Sequence, residues 1–310
     1  MPGVPPTRFT YLGPPATFAE QALRTLPAAR SGILIAAPSV PAALESVRTG
    51  EADAALVPLE SSVEGSVSVT LDELASGDPL AIVGEVLLPV RFVLLARAGT
   101  KLSEVRTLAT HPHAEAQCRA WLREHLPDVV VHGALSTSEG AAAVVRGEYD
   151  AALAAPLAAA YHRLAVLAGD VADNDGAVTR FVLISRLGPP PQRTGHDRTS
   201  LVAFIADNHT GALLEVLTEF AVRGIDLTRI ESRPTKQRLG RYSFSIDCAG
   251  HVADARVGEA LAALRRICAD VRFLGSYPRA DDDVPAQRAG TGDTDFADAA
   301  GWLARLRAGA

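Results

Sequence analysis

From Arg8 to Arg186 the chain alternates between short apolar runs the width of a strand and longer stretches in which apolar positions return every three or four residues. Arg8-Phe9-Thr10-Tyr11-Leu12 reads as a strand that breaks at Gly13-Pro14-Pro15, and a helical pattern runs from Ala16 to Leu26. Proline in the first turn with glycine just before it suits a helix start. Ser39 then stands as the N-cap of a helix through Val40, Leu44 and Val47 that stops at Gly50, ahead of a strand Asp53-Ala54-Ala55-Leu56-Val57. Strand and helix in alternation predict a parallel sheet.

The same order recurs 97 positions later, so that Pro15 falls on Pro112 and Gly50 on Gly147. Tyr149-Asp150-Ala151-Ala152-Leu153 repeats Ala52-Asp53-Ala54-Ala55-Leu56, and Ser136-Thr137-Ser138 supplies a second cap. A true internal repeat and a shared architecture without shared ancestry both fit so short a match. Either predicts two similar α/β lobes whose helix N-termini, each with free N–H groups and about half a positive charge, line a cleft suited to a small carboxylate. Val86-Leu87-Leu88-Pro89-Val90 leads from one lobe to the other and residues 170 to 185 bring the chain back. That return carries the polar loop Asp173-Asn174-Asp175-Gly176-Ala177-Val178-Thr179-Arg180-Phe181, which runs straight into the apolar strand Val182-Leu183-Ile184. Loops at strand ends of open α/β sheets are where ligands bind.

The turn-rich stretch from Leu187 to Gly195, with Pro189-Pro190-Pro191, is the clearest boundary. We read a two-lobed segment over 7–187, with lobe 1 at about 7–86 and 173–187 and lobe 2 at about 87–172, then a linker over 188–198. Residues 199–278 scan as βαββαβ, a small ferredoxin-like domain. From Arg279 the run Asp281-Asp282-Asp283 and scattered Gly and Pro predict a loose acidic tail over 279–310 with at most one short helix near Phe296 to Leu306.

Composition removes whole classes of function. Among 310 residues, 48% are apolar, enough for two or three cores, and no run approaches the ~20 apolar residues of a membrane span. The opening Met1-Pro2-Gly3-Val4-Pro5-Pro6 lacks the charged and apolar regions of a signal peptide, so a cytoplasmic location is expected. A net charge of -6, with lysine only at Lys101 and Lys236, argues against nucleic acid. Cys118, Cys248 and Cys268 show no metal-ligand spacing and read as reduced, packed thiols. His111 and His113 lack a third ligand nearby and read as loop histidines, so neither metal nor other cofactor is expected.

Five stretches jointly resemble prephenate dehydratases that carry a C-terminal ACT regulatory domain. Tyr11-Leu12-Gly13-Pro14-Pro15-Ala16-Thr17-Phe18 is similar to the family's Gly-Pro-x-Gly-Thr-Phe, and Pro58-Leu59-Glu60-Ser61-Ser62-Val63-Glu64-Gly65 to its Pro-x-Glu-Asn-Ser-x-x-Gly. Thr179-Arg180-Phe181 is its Thr-Arg-Phe, while Gly211-Ala212-Leu213-Leu214 and Glu231-Ser232-Arg233-Pro234 resemble the ACT motifs. The resemblance implies a two-lobed catalytic domain of the type II periplasmic-binding-protein-like fold and dehydration of prephenate to phenylpyruvate with loss of CO2 and water. Aromatisation drives that reaction, so the protein mainly has to hold a dianion and help a hydroxyl leave.

The resemblance implies that Thr179 is the hydrogen-bond donor to the leaving hydroxyl, a role typically worth ~10²–10⁴ in rate. It implies catalytic roles for Arg180 and Glu60 as well, and substrate contacts from Thr17, Ser61, Ser62, Gly65 and Phe181. Each has a second reading. Arg180 pairs with a substrate carboxylate or braces the hinge through Asp173 or Glu60. Glu60 acts as base, helix cap or structural ion-pair partner. Ser62 and Thr17 bind substrate or cap helices, and Phe18 and Phe181 also read as packing residues. Ala16, Ser61 and Gly176 stand where the family has Gly, Asn and Asn, and His162-Arg163-Leu164 replaces a Tyr-Gly-Leu turn. These departures keep three rivals open: a related dehydratase acting on arogenate or a modified prephenate, a decarboxylase that leaves the hydroxyl in place, and a non-catalytic ACT-domain sensor.

For the small domain the resemblance implies feedback inhibition by phenylalanine bound where two ACT domains pair, in a homodimer or homotetramer. Asn208, Gly211, Ala212 and Leu213 on one side and Glu231, Ser232, Arg233 and Pro234 on the other are the expected contacts. Gly211 opens a helix, and its missing side chain is expected to allow close approach of the effector. Leu213, Leu214, Leu217 and Phe220 read as that helix's core face.

Overall fold

The computed structural model describes residues 6–206, 209–235, 242–281, 283 and 288–309. Two units divide it, one running up to Thr70 and over Val86–Leu183, the other comprising Leu71–Glu85 and the chain from Ile184 onward.

The repeat legible in the sequence is a repeat of structure. Helix Val40–Arg48 begins at Ser39, whose hydroxyl accepts from the Ala42 amide at 3.2 Å. Its counterpart, Thr137–Val145, starts at Ser136, whose hydroxyl accepts from the Glu139 amide at 3.0 Å. Each hydroxyl satisfies one of the amides left without a partner in a first helical turn. Both helices are followed by a glycine at φ +80°, Gly50 and Gly147. Asp53 accepts from the Arg8 amide at 2.8 Å, and Asp150 likewise takes the amides of Arg106 and Thr107 at 3.0 and 2.9 Å. Burial pushes the Asp150 carboxyl up, but these donors outweigh it and hold the group below its ordinary value.

The strand order repeats too. In the first sheet it runs Ile33–Ala37, Arg8–Leu12, Ala54–Ser61, Val178–Arg186, Leu80–Pro89, with the short Gly65–Ser66 paired to Ala54–Ser61. In the second it runs Val130–Gly133, Thr107–Thr110, Ala151–Ala154, Val93–Ala96, Ala165–Ala168. The three strands of each α/β repeat are parallel, as alternation predicts. Val93–Ala96, by contrast, is antiparallel to both its neighbours, so the sheet is mixed. Val93–Ala96 is the strand with which the chain enters this lobe from Leu80–Pro89, and no single helical crossover, the connection that makes neighbouring strands parallel, joins it to either neighbour.

The chain crosses between lobes twice, and the crossings pair with each other. The Val90 amide donates to the Ala177 carbonyl at 2.7 Å and the Val171 amide to the Phe92 carbonyl at 3.0 Å. One core forms around Phe9, Tyr11, Leu23, Leu56, Val86 and Phe181, and another around Phe92, Leu94, Leu108, Leu122, Leu153 and Val171. Phe18 packs against both, its ring meeting Phe92 edge-on with centroids 5.2 Å apart.

In the second unit a four-stranded antiparallel sheet runs Leu227–Pro234, Tyr242–Ala249, Asp197–Phe204, Asp270–Pro278, and helices Ala212–Ala221 and Ala255–Ile267 complete the βαββαβ pattern. Leu201, Val216, Phe220, Ile246, Val257 and Leu264 form its core. Leu213 and Leu214 are 38% and 67% exposed, so the expected core face is corrected to Ala212, Val216 and Phe220, the four-residue spacing that keeps one stripe inward. The helix expected near Phe296 to Leu306 is longer than the short one that composition predicts. Asp293–Arg307 is a fifteen-residue helix whose Asp295 accepts from the Gly292 amide at 2.9 Å. Acidic residues in its first turn and Arg305 and Arg307 in its last complement the helix dipole. No helix among the described residues is long and apolar enough to cross a membrane, and they hold no cluster of three metal-ligating side chains.

Candidate active site

Thr179 sits where the returning chain enters strand Val178–Arg186. Its position is set by the residue before it: the Ser62 amide donates to the Val178 carbonyl at 2.9 Å, and the Val178 amide donates to Ser62 Oγ at 3.0 Å. Two sequence motifs 116 residues apart are thereby hydrogen-bonded side by side. Ser62 caps no helix. Side chains alternate along a strand, so Thr179 lies on the same face as Phe181, which is buried in the core beneath helix Phe18–Thr25. Phe181, expected as a substrate contact or a packing residue, packs.

Arg180 points the other way and is 6% exposed. Its Nη1 lies 3.7 Å from Glu60 Oε2, at the end of strand Ala54–Ser61. Of the two carboxylates expected to brace it, Glu60 is therefore the neighbour. Asp173 is engaged elsewhere, accepting from the amides of Ala120 and Trp121 at 2.8 and 3.0 Å and so capping the helix that follows Cys118. Beyond Glu60, Ser61 Oγ accepts from the amides of Val63 and Glu64 at 3.3 and 3.4 Å and shapes the turn. Gly65 closes it at φ +80°, a conformation that favours glycine.

The glycine-proline motif supplies a second wall. Ala16, standing where the family has Gly, is fully buried at φ +66°, which is why glycine suits the position. Thr17 is in the N-cap position of helix Phe18–Thr25, yet its hydroxyl donates back to the Leu12 carbonyl at 3.1 Å rather than capping. The strain at Ala16 is countered by Glu20, a residue sequence reading passed over. Its buried carboxylate accepts from the Ala16 amide at 2.6 Å and the Tyr11 hydroxyl at 3.2 Å, and Arg24 Nε donates to it at 2.8 Å. Burial, with the Glu20 charge beside it, holds the Tyr11 hydroxyl well above its ordinary pKa. A carboxylate three residues into a helix, reaching back to an amide ahead of the cap, was the signal available in the sequence.

Two further contacts join the lobes around these walls. Ser138 Oγ donates to the Pro15 carbonyl at 2.5 Å and lies 3.2 Å from His162 Nε2. Because the hydroxyl proton goes to the carbonyl, the imidazole must donate at Nε2. Burial lowers the His162 pKa. On another side Glu64 accepts from Gln117 Nε2 at 3.2 Å and lies 3.3 Å from His113 Nδ1. Burial, and then the neighbouring His113, lower the His111 pKa. Gly176, where the family's Asn is absent, donates its amide to Asn174 Oδ1 at 2.9 Å, so an amide side chain remains two residues away. The thiols of Cys118 and Cys248 are pushed up to about 12 by burial and stay protonated.

In the small domain Gly211 opens helix Ala212–Ala221 at φ +97°, and a Cβ there would meet nothing within 4 Å. Backbone conformation, rather than room for a ligand inside this chain, is what calls for glycine. Ala212 is buried, while Ser232 and Pro234 are at the surface. Arg233 makes a two-pronged contact with Asp72, at 2.9 and 3.0 Å, and its Nη1 is 3.7 Å from Glu231. Asn208, an expected effector contact, lies outside the described residues.

Comparison with known proteins identifies the family. The prephenate dehydratase family model matches residues 9–188 and the ACT domain model residues 200–266. A prephenate dehydratase of Amycolatopsis methanolica is 53% identical over 306 residues, 98% of this chain and 99% of its own length. One from Mycobacterium tuberculosis is 50% identical over 312 residues, 97% of this chain and 94% of its own. The crystal structure of prephenate dehydratase from Arthrobacter aurescens in complex with L-Phe has a TM-score of 0.93 and 49% identity, covering 97% of this chain and 99% of that one. The lobes built around Thr-Arg-Phe, the ferredoxin-like domain that follows them in the sequence and relatives matched over nearly their whole length agree: the chain belongs to the prephenate dehydratase family, with a C-terminal ACT domain.

Proposed function

We propose that this protein converts prephenate to phenylpyruvate, with Thr179 as the donor to the departing hydroxyl. The observation that carries the assignment is the pairing of Val178 with Ser62, which fixes the Thr179 backbone beside the turn that follows Glu60. In the reaction the electrons of the bond to the ring carboxylate pass into the ring as CO2 leaves. The C4–O bond breaks with its electrons on oxygen, and a proton completes the water. The threonine hydroxyl is too weak an acid to ionise, so it acts by hydrogen-bonding the oxygen as charge develops there. Arg180 is the guanidinium for a substrate carboxylate, with Glu60 as the counter-charge that orients it. Thr17, Ser61, Ser62 and Gly65 shape the wall, and Ala16, Ser61 and Gly176 are compatible with turnover because each has a local conformation or hydrogen bond of its own.

The finer reading follows the same logic. Phenylalanine is the effector, bound by the ACT domain through the Gly211 and Glu231–Pro234 segments, and the enzyme is a cytoplasmic homodimer or homotetramer paired through that domain. The pairing is supported by apolar side chains left at the surface, Leu214 at 67%, Ile230 at 42% and Tyr242 at 40% exposure.

The test is turnover of the purified protein with prephenate, following phenylpyruvate by its absorbance in base. Thr179→Ala is expected to lower kcat by ~10²–10⁴ while Thr179→Ser keeps most of it. Full activity in Thr179→Ala would overturn the assignment.

A further inference from the structure

Helix Ser68–Ala75 has two attachments that lie two residues apart. Thr70, fully buried, donates its hydroxyl to the Pro58 carbonyl at 2.6 Å, and the Val67 amide just ahead of the helix donates to the Leu59 carbonyl at 2.8 Å. Both acceptors belong to the strand that ends in Glu60 and Ser61. Asp72, next along, receives Arg233: Nη2 donates to Oδ1 at 2.9 Å and to Oδ2 at 3.0 Å, and Nε to Oδ1 at 3.1 Å. Both side chains are only 21% exposed. A guanidinium seated on both oxygens of a carboxylate fixes direction as well as distance, so a movement of one partner carries the other with it.

The rest of the segment is held more deeply. Arg272 Nη1 donates to the carbonyls of Ser76 and Gly77 at 2.8 and 3.1 Å, past the end of the helix. Arg198 Nη1 lies 2.5 Å from Glu85, whose other oxygen takes the Ala280 amide at 2.9 Å. Those anchors come from strands Asp197–Phe204 and Asp270–Pro278, in the body of the small sheet. Arg233 comes from the edge strand, within Glu231-Ser232-Arg233-Pro234.

We propose that the Arg233–Asp72 pair is the joint through which effector binding reaches the active site. An effector that reorients Glu231–Pro234 displaces Asp72, and helix Ser68–Ala75 passes the displacement through Thr70 to the strand that carries Glu60, altering the approach of Glu60 to Arg180. The inference rests on the phenylalanine-regulated reading above and assigns its path.

Two measurements on the full-length protein separate binding from coupling: calorimetric titration with phenylalanine without substrate, and the factor by which saturating phenylalanine lowers turnover of prephenate. Asp72→Asn keeps the shape and removes the charge. It is expected to keep its basal kcat and to bind phenylalanine, while the inhibition factor falls by about fivefold or more. Asp72→Glu, which restores the carboxylate, is expected to recover part of that inhibition. Asp72→Asn that binds phenylalanine and is inhibited as strongly as the unsubstituted protein would overturn the joint. An unsubstituted protein that binds no phenylalanine would overturn the regulatory reading itself, and that result is obtained before any substitution is made.

Discussion

Ala16 and Arg163 both occupy left-handed backbone, at φ +66° and +54°, where the family motifs have glycine. The same conformation has different consequences at the two positions. Arg163 ends helix Leu157–His162 with an exposed side chain, so replacing it removes strain and little else. Arg163→Gly is expected to stabilise the protein by about 1 kcal/mol, read as a rise in Tm. Ala16 is fully buried against Val93, Leu95 and Ala141, and its methyl contributes about 0.8 kcal/mol of burial. Ala16→Gly is therefore expected to leave Tm nearly unchanged; a clear rise would show that the methyl packs poorly. The motif comparison marked both residues as departures, but only φ explains why glycine suits these positions. Glu20 shows the converse case, since two of its donors, the Ala16 amide and Arg24, lie four residues away and are open to local reading, while the Tyr11 hydroxyl is brought to it by the fold.

At the scale of elements, strands and helices were legible because their apolar positions follow the period of the element that buries them. Ser39 and Ser136 mark helix starts for the same local reason, a hydroxyl within reach of an amide three residues on. What periodicity does not carry is the partner across a sheet. Asp247 and Arg229 pair at 2.9 Å, with the aspartate fully buried and Ser200 donating to it at 2.7 Å. In the sequence they are two charges on separate strands, 18 residues apart. Asp247→Ala leaves the guanidinium in a buried site without its carboxylate and is expected to cost about 3–5 kcal/mol in urea unfolding. Strand-to-strand approach is equally invisible. Gly275 lies at φ +147°, and a Cβ there would sit 2.2 Å from the Ile82 carbonyl oxygen. Gly275→Ala is expected to force the strands apart and lower stability by about 1–3 kcal/mol. The loss should show as a lower urea midpoint.

At the scale of the whole molecule, the burial of histidines in the packed lobes bears on how stability responds to pH. His162 and His111 have pKa values lowered chiefly by burial, so the unfolded chain takes up their protons first as pH falls. Their contribution to stability is whole above the ordinary histidine pKa of about 6.5 and is lost as pH falls through the depressed folded values. Tm is expected to decline between about pH 7 and pH 5. His162→Gln, which retains a donor toward Ser138, should reduce the decline; an unchanged slope would exclude His162 as its source. The sequence alone determined the α/β class, the recurrence of one strand-and-helix order in two lobes, the ferredoxin-like pattern and the motif that carries Thr179, because periodicity, caps and turn residues act over a few neighbours. Tertiary structure decided how those pieces meet. Ser62 beside Val178, Glu60 rather than Asp173 beside Arg180, the exposure of Leu213 and Leu214, and Arg233 on Asp72 all join residues far apart in the chain or turn on what packs against a face. Such contacts depend on the summed geometry of every element between them, which no local pattern encodes.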